Sequence, residues 1–289
     1  MRRILVTGAN KGIGLAIVEA ILAQHADTFV LLGARDAERG REAAARLASA
    51  HAGWDERIEV LPLDVASDAS VERAAERASG ARLHGIVNNA GIGADGHDLR
   101  AVLETNTFGV RRVSEAFLPL LEPKGGRVVN VTSASGPLFV AQCSPARQRF
   151  FLDEKLTWPE LRAFLDTCLA LGGDPDAFAA EGLGSGAAYG LSKACANAYT
   201  GIFARAHRDL CVNACTPGYI ATDMTRPHAV AEGTSPEALG MKPPAEGAKA
   251  PMHLLFGALE GSGRYYGSDA KRSPLDRYRA PGSPEYTGA

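Results

Sequence analysis

Tyr189 and Lys193 are the two side chains of this sequence whose types and spacing most clearly suit chemistry. They stand four positions apart in the stretch AYGLSKA, whose small residues favour a helix, so both project from one helix face. A phenol has a reference pKa of about 10, and a nearby ammonium group favours its ionised form. The pair therefore suits proton transfer in a cleft. The alternative is an ordinary helix surface, where such pairs are common.

A glycine-rich loop, TGANKGIG from Thr7 to Gly14, lies between the first predicted strand and the first predicted helix. Glycines at this point let backbone N–H groups and the positive end of the helix dipole approach a pyrophosphate. The GxxxGxG spacing differs from the more usual GxGxxG. The strand before it and the helix after it favour a phosphate site over a simple tight turn.

The sequence GARD at the end of the second predicted strand bears on the choice between NAD and NADP. An acidic residue there would bind the adenosine ribose, whereas an arginine accommodates the 2′-phosphate of NADP. Arg35, with Lys11 from the glycine loop, offers two cations to that phosphate and predicts NADP(H). Two alternatives stay open: a strand that ends one residue later gives the ribose to Asp36, or Arg35 is a solvated charge at a helix entry.

Short β-rich segments alternate with amphipathic helical segments along the chain. Strands are predicted at RILVT (3–7), TFVLLGA (28–34), RIEVLPL (57–63), LHGIVNN (83–89), GRVVNVT (126–132), LCVNAC (210–215) and RYYG (264–267), and helices at 12–25, 37–50, 68–79, 99–121, 186–207 and 246–257. Strands that are apolar on both faces and joined by helical crossovers indicate a parallel sheet between two helical layers. We predict one α/β domain over residues 1–289, with a Rossmann-type, doubly wound sheet of about seven strands.

The bulk composition excludes several classes of protein. The 289 residues carry 31 basic and 33 acidic side chains without a basic stripe, so no nucleic-acid partner is expected. No apolar run reaches the roughly 20 residues of a membrane span. The five cysteines lack a CxxC pair and the seven histidines lack metal-ligand spacing, which favours free thiols and no metal. The chain begins directly with a strand, so we expect a cytoplasmic location.

Seven motifs occur in a fixed order: TGANKGIG (7–14), LDV (63–65), NNAG (88–91), TNTFG (105–109), VTSASG (131–136), YGLSK (189–193) and PGYIATDM (217–224). Together they resemble the short-chain dehydrogenase/reductase family over residues 3–267. The resemblance implies an NADP-dependent oxidoreductase with a Rossmann-type sheet. The residues predicted to bind the cofactor are Gly8, Asn10, Lys11, Gly12, Ile13, Gly14, Arg35, Asp64, Val65, Asn88, Ala90, Gly91, Tyr189, Lys193, Pro217, Gly218 and Thr222.

The same resemblance implies four catalytic residues. In the reduction direction, hydride passes from the dihydronicotinamide to a carbonyl carbon, Tyr189 donates a proton to the developing alkoxide, and Ser133 hydrogen-bonds that oxygen. Lys193 lowers the pKa of the phenol. Asn106 resembles the fourth member of the set, which holds a water between Lys193 and solvent; alone it would indicate only a helix irregularity.

Residues 137–183 form an insertion before Tyr189. Thr157 and Glu160 make a capping-box pattern and Gly172 can end the helix that follows. Asp174 and Pro175 can begin a second short helix. The predicted apolar face of the first helix consists of Leu161, Phe164, Leu165, Cys168 and Leu169.

The position of this insertion is similar to that in the monomeric carbonyl reductases, whereas the tyrosine helix of most family members pairs with a neighbouring subunit. We therefore predict a monomer. The rival hypothesis makes the insertion a wall of the substrate pocket in a dimer, with Phe150, Phe151 and Trp158 as lining.

Two further segments have compositions of their own. Residues 219–245 are rich in proline and glycine and predict a mobile lid over the substrate, or an ordinary surface loop. The tail at 268–289 contains prolines and almost no aliphatic residues, so no regular element is expected there. Tyr278 and Tyr286 either fix the tail to the surface or belong to a mobile end.

These observations favour an NADPH-dependent reductase of a small aldehyde, ketone or quinone. Plant terpenoid and alkaloid ketone reductases have a similar insertion, so a biosynthetic enzyme with a narrow substrate range is the first alternative. The second is a regulatory protein that binds NADPH without turnover. The complete set of Ser133, Asn106, Tyr189 and Lys193 argues against that second alternative.

Overall fold

A computed structural model of the chain describes residues 1–184 and 188–288, which contain a seven-stranded parallel sheet. The strands are β1 Arg2–Val6, β2 Thr28–Ala34, β3 Ile58–Pro62, β4 Leu83–Asn88, β5 Arg127–Val131, β6 Cys211–Cys215 and β7 Tyr265–Tyr266. Their order is β3-β2-β1-β4-β5-β6-β7, so the direction of winding reverses between β1 and β4. Ligands bind open α/β sheets at such a switch point. The predicted seven-stranded, doubly wound sheet is confirmed.

Helices cover both faces of the sheet. Their bounds are α1 Gly12–Gln24, α2 Ala37–Ala50, α3 Asp68–Ala78, α4 Leu99–Leu103, α5 Gly109–Phe117, α6 Ser135–Gln142, α7 Pro145–Leu152, α8 Trp158–Ala170, α9 Pro175–Ala180, α10 Ala188–Ala206, α11 Arg226–Ala231, α12 Pro244–Gly247 and α13 Lys249–Phe256. The predicted start of the tyrosine helix at residue 186 lies outside the described residues. None of the described helices is long and apolar enough to cross a membrane.

The helix predicted at 99–121 is interrupted. A turn of π-helix at Glu104–Phe108 separates α4 from α5, and a 3₁₀ turn follows at Leu118–Leu120. Asn106 lies inside the π turn, and its side chain hydrogen-bonds both backbone groups of Ile92 at 2.9 Å. A single π turn inside an α-helix is frequent at functional sites. The uninterrupted helix was therefore a wrong prediction, because these bonds come from a distant loop.

The alternation of side chains along the strands divides the core into two parts. Leu5, Leu31 and Val128 face the layer that contains α3, α5, α8 and α10. Ile4 and Val30, one position away, face α1, α2 and α13 on the other side. All five side chains are fully buried. The sheet therefore has no solvent-exposed face, as its apolar strands predict.

The insertion contains most of α6 and the helices α7, α8 and α9, and it packs on the main core. The Glu160 carboxylate accepts hydrogen bonds from the backbone N–H of Thr157 at 2.8 Å and from its hydroxyl at 2.6 Å, which fixes the start of α8. Asp174 caps α9 through the N–H of Ala177. The predicted apolar face of α8 is buried, with Leu165 and Cys168 fully inaccessible, and it covers α10.

The aromatic residues of the insertion serve mainly to pack it. Phe150 and Phe151 contact Phe164 with ring centroids 4.9 and 5.5 Å apart. The Trp158 ring packs edge-on against Tyr199 at 5.8 Å. The Trp158 and Phe150 rings are thus used between the insertion and the core, which disfavours the hypothesis of a substrate-pocket wall at these two positions.

The tail packs along the edge strand β7. The N–H of Ser273 donates to the carbonyl of Tyr265 at 2.8 Å, and Tyr266 pairs with Arg272 in an isolated antiparallel bridge. The Arg279 guanidinium, which is 7% exposed, forms an ion pair with Asp269. The tail thus covers the open edge of the sheet without a regular element of its own, in agreement with its composition.

Candidate active site

Ser133, Tyr189 and Lys193 meet at the carboxyl end of β5. Ser133 follows this strand directly, while Tyr189 and Lys193 lie in the first turns of α10. The Ser133 side chain lies close enough to the Tyr189 hydroxyl to lower the pKa of that phenol. The Lys193 ammonium donates to the carbonyl of Val131 at 3.2 Å and lies 5.6 Å from the centre of the Tyr189 ring. The three predicted side chains are therefore brought together.

Burial dominates the protonation of this group. It raises the pKa of Tyr189, and the hydrogen bond from Ser133 offsets only part of that rise. Burial also lowers the pKa of Lys193 to about 8. Burial and Ser133 account for the shift in the Tyr189 pKa and Lys193 does not contribute to it, so the expected lowering of the phenol pKa by Lys193 is not seen in this structure. Tyr189 is thus a protonated hydroxyl at neutral pH and suits proton donation.

Asn106 lies on the other side of Lys193. Its Oδ1 accepts from the N–H of Ile92, while its Nδ2 donates to the Ile92 carbonyl and to the Ser192 hydroxyl at 3.1 Å. A Cβ added to Gly91 would stand 3.2 Å from Asn106 Oδ1 and 3.4 Å from Lys193 Nζ. A side chain at position 91 would therefore crowd both Asn106 and Lys193.

In the glycine loop, backbone atoms lie so close together that side chains would not fit between them. Gly8 and Gly12 have φ values of +62° and +57°, which favour glycine. A Cβ on Gly14 would lie 2.4 Å from the Gly8 carbonyl. Lys11, the N-cap of α1, makes no side-chain cap within the described chain, so N–H groups of the first turn remain for an anion. The loop therefore fits a dinucleotide pyrophosphate.

Two residues that the sequence analysis omitted hold this loop in place. The Thr7 hydroxyl accepts from the N–H groups of Asn89 and Ala90, both at 3.0 Å. The Asn89 amide donates to the carbonyls of Thr7 and Gly8. The signal for both residues was present, since Thr7 begins the glycine loop and Asn89 belongs to the NNAG motif.

Asn88 differs from its neighbours, because its side chain does not face the cleft. It is 3% exposed and donates to Asn130 at 2.8 Å and to Ser114 at 3.0 Å. The Asn130 amide continues to the Thr200 hydroxyl at 2.8 Å. The Asn88 side chain therefore links β4 to β5 and α5, and through Asn130 to α10, so only its backbone is left for the predicted contact with the cofactor. Ala90 and Gly91 remain at the strand end.

The adenosine end of the cleft lies where β2 and β3 end. Arg35 follows the last residue of β2 and is exposed. The Asp36 carboxylate accepts from the N–H groups of Glu38 and Arg39 and so caps α2. The Asp64 carboxylate accepts from Ala66 at 3.0 Å, and the Val65 side chain is buried. Because Asp36 is engaged in the cap, Arg35 is the side chain that remains for a ligand.

The segment after β6 closes the other end of the cleft. Pro217 and Gly218 follow this strand, and Gly218 has a φ of +92°. The Thr222 methyl group stands 3.5 Å from a Cβ built on Gly12, so this segment contacts the glycine loop. The Thr225 hydroxyl accepts from the N–H of Thr222 at 2.9 Å and fixes its position.

The remaining predicted residues of the loop lie at its start and in the first helical turn. Asn10 precedes Lys11 and is half-buried. The Ile13 side chain packs on Gly247, where an added Cβ would lie 3.1 Å from it. Ile13 thus ties α1 to α12.

Three large apolar side chains are exposed in the segments that follow β5 and β6. Leu138, Tyr219 and Met224 are 44%, 41% and 36% exposed. Met224 reaches across to the NNAG turn, with its Cγ 3.3 Å from a Cβ built on Gly93. Apolar side chains near the partly exposed Ser133 and Tyr189 would suit a substrate with an apolar body and one polar oxygen.

Comparison with known proteins decides the family. The family model described as short chain dehydrogenase matches residues 2–145. Carbonyl reductase (NADPH) 1 of Rattus norvegicus is 33% identical over 285 residues, which cover 93% of this chain and 97% of that protein. The chain belongs to the short-chain dehydrogenase/reductase family. The family resemblance and the prediction of an oxidoreductase that acts on a carbonyl or an alcohol are thereby confirmed.

Solved structures of this family have the same architecture. Salutaridine reductase from Papaver somniferum superposes with a TM-score of 0.77 at 27% identity, covering 92% of this chain and 99% of that one. The NADPH-bound carbonyl reductase from chicken fatty liver superposes with a TM-score of 0.64 at 26% identity, covering 94% and 98%. The short-chain dehydrogenase fold thus extends over nearly the whole chain.

Proposed function

We propose that the protein reduces small carbonyl compounds with NADPH, with Tyr189 as the proton donor. The observation that carries the proposal is the meeting of Ser133, Tyr189 and Lys193 at the sheet edge that also holds the glycine loop. The chicken and rat relatives are named as carbonyl reductases that use NADPH. Aldehydes, ketones and quinones are the substrate class that this site chemistry suits.

Each of the three side chains has one task in the reduction. When bound, NADPH supplies the hydride that the carbonyl carbon accepts. Tyr189, kept protonated by burial, donates its proton to the developing alkoxide. Ser133 donates a hydrogen bond to the same oxygen and so fixes its position. Lys193, whose pKa is near 8, stabilises the phenolate that Tyr189 leaves behind.

The remaining proton path involves Asn106. Its amide is fixed by Ile92 and Ser192, so its position beside Lys193 is rigid. We propose that Asn106 holds a water molecule, and that this water resupplies Lys193 with protons. The narrow approach at Gly91 supports this role, because a side chain there would separate the two residues.

NADPH is favoured over NADH by the charges at the adenosine end. Arg35 is exposed after β2, and Lys11 projects from the glycine loop. Asp36, the residue that would bind a ribose, caps α2 instead. Two cations without a competing ribose ligand suit a dianionic 2′-phosphate.

The insertion supports a monomer, and we also assign the protein to the cytoplasm. Its helix α8 covers the face of α10 with Leu161, Phe164, Leu165 and Cys168, all at most 5% exposed. A second subunit cannot use the same face of α10 while α8 covers it. We assign residues 1–289 to one domain, with the insertion at 137–183, a substrate lid at 219–245 and a tail at 268–289.

A biosynthetic ketone reductase with a narrow substrate range is the second candidate. The observation that favours it is the higher TM-score with salutaridine reductase, 0.77 against 0.64 for the chicken liver carbonyl reductase. The two candidates share the catalytic chemistry and differ only in the segments that follow β5 and β6. Leu138, Tyr219 and Met224 in these segments would then decide the substrate.

The test follows the loss of reduced-nicotinamide absorbance with quinones, aromatic aldehydes and cyclic ketones, using NADPH and NADH in parallel. We expect NADPH-selective turnover that Tyr189→Phe reduces at least 100-fold, within the range of general acid catalysis. Tyr199→Phe is the matched control, because it removes a phenol hydroxyl from the same helix outside the site. NADPH binding without turnover on any of these carbonyls would contradict the proposal and favour the NADPH-binding regulator.

A further inference from the structure

We infer that a second cavity, which adjoins α10 from one turn beyond Lys193 onward, binds a small carboxylate with an apolar body. The cavity has a volume of about 150 Å³. It lies between the end of α7, the middle of α10, strand β7 and the tail. Among its described lining residues, Ser133, Tyr189 and Lys193 do not occur, so it is distinct from the proposed catalytic site.

Asn197 is the first reason to expect a polar ligand. This side chain lines the cavity and is 5% exposed. Neither its Nδ2 nor its Oδ1 has a hydrogen-bond partner in the described structure. Helix α6 packs against one side of the Asn197 side chain, since a Cβ built on Gly136 would lie 3.0 Å from Asn197 Nδ2. A buried amide without a partner destabilises a fold, so a partner inside the cavity is expected.

Arg264 is the second and independent reason. Its guanidinium is only partly exposed and makes no hydrogen bond or ion pair with residues 1–184 or 188–288. The two other arginines of the lining are engaged, Arg205 with the carbonyl of Leu156 and Arg272 with that of Gly288. Arg264 is therefore the cation that remains for a ligand. A guanidinium and an amide N–H that line one cavity are a donor set that suits a carboxylate.

The other lining residues determine the size and the total charge of the ligand that fits the cavity. Apolar surface comes from Phe151, Leu156, Ala198 and Leu275. A volume of about 150 Å³ is enough for a molecule the size of benzene. Asp153 and Glu154 at the exposed rim repel a second negative charge. The ligand class is thus a monocarboxylate with a single ring or a short chain, and not a phosphate or a dicarboxylate.

Calorimetric titration of the full chain with benzoate tests this inference, with benzyl alcohol as the neutral ligand of the same size. We expect one saturable benzoate site and at least tenfold weaker binding of benzyl alcohol. Arg264→Gln should weaken benzoate at least tenfold. Arg73→Gln, which removes an exposed arginine on α3, should leave benzoate binding unchanged.

Asn197→Leu separates ligand binding from folding. Without benzoate its melting temperature should equal or exceed that of the wild type, because an apolar side chain replaces an unpaired amide. Benzoate should then give no further rise in melting temperature. Equal benzoate affinity in the wild type and Arg264→Gln would overturn the inference. So would a loss of benzoate binding in Tyr189→Phe as large as that in Arg264→Gln, because the ligand would then occupy the catalytic site.

Discussion

Lys11 and Asp223 form an ion pair across the mouth of the cofactor cleft, with 2.6 Å between Nζ and Oδ2. Lys11 belongs to the glycine loop, and Asp223 belongs to the segment that follows β6. The lysine lowers the pKa of Asp223, so the carboxylate is charged at neutral pH. The cation proposed for the 2′-phosphate is thus already paired with an anion. Asp223 should therefore limit the affinity for NADPH.

The variant Asp223→Asn tests this relationship. Both side chains are more than half exposed, and exposed ion pairs contribute about 0.2–1 kcal/mol, so we expect the Kd for NADPH to fall by about two- to fivefold. The Kd for NADH should change less, because it has no 2′-phosphate. Fluorescence titration of both cofactors at low and high salt measures the effect, which should shrink as salt screens the charges. Asp166→Asn, in an exposed ion pair on α8, is the control. Weaker NADPH binding in Asp223→Asn would contradict this expectation.

We expect the buried charge of Lys193 to destabilise the fold, although the proposed reaction requires this residue. Burial lowers its pKa to about 8 from the usual 10.5 of a lysine, so the folded state binds this proton less readily than the unfolded state. Stability should therefore rise with pH between about 8 and 10.5 as the unfavourable buried charge is lost. Lys193→Met should stabilise the fold at pH 7 by about 1–3 kcal/mol and abolish turnover. Its stability should also lose this pH dependence.

Urea unfolding of Lys193→Met and the wild type at pH 7 and at pH 10 measures this difference. The exposed Lys249→Met is the matched control and should leave stability within about 0.5 kcal/mol of the wild type. A less stable Lys193→Met at pH 7 would mean that the buried ammonium contributes more through its bond to Val131 than its desolvation costs.

Gly14 is the glycine of the loop with the least space around it. A Cβ there would lie 2.4 Å from both the Gly8 carbonyl and the Asn89 amide. Gly14→Ala should therefore open the loop, destabilise the protein by about 1–3 kcal/mol and weaken NADPH at least tenfold. Gly80→Ala is the control, since no heavy atom lies within 4 Å of its added Cβ. Thermal unfolding measures the loss of stability, and cofactor titration measures the loss of NADPH affinity. An unchanged NADPH affinity in Gly14→Ala would contradict the proposal that this loop binds the pyrophosphate.

Local patterns were sufficient for much of the fold. The strand predicted at 28–34 agrees with β2 at both ends, because its apolar run is bounded by a polar turn on each side. The capping box of Thr157 and Glu160 located the start of α8, since its hydrogen bonds are within one helical turn. The glycine loop was equally visible, because each of its close approaches needs a residue without a side chain.

The sequence could not predict features that depend on distant pairings. Asn88 was placed in the cleft, but β4 and β5 align it with Asn130, and that register is not visible in either strand alone. The π turn at Asn106 depends on bonds to Ile92 in a loop. Burial around Tyr189 also reversed the expected direction of its pKa, because desolvation is a property of the packed fold.

Leu165 tests whether the insertion is an integral part of the core. It is fully buried on the face of α8 that covers α10, so Leu165→Ala should cost about 2–5 kcal/mol of unfolding free energy. Leu138→Ala, at a leucine that is 44% exposed, should cost less than about 1 kcal/mol. Denaturant unfolding measures both, and sedimentation of each variant reports whether a dimer forms once the cover over α10 is weakened. If Leu165→Ala lowered the free energy of unfolding as little as Leu138→Ala, α8 would not stabilise the helix that carries Tyr189 and Lys193.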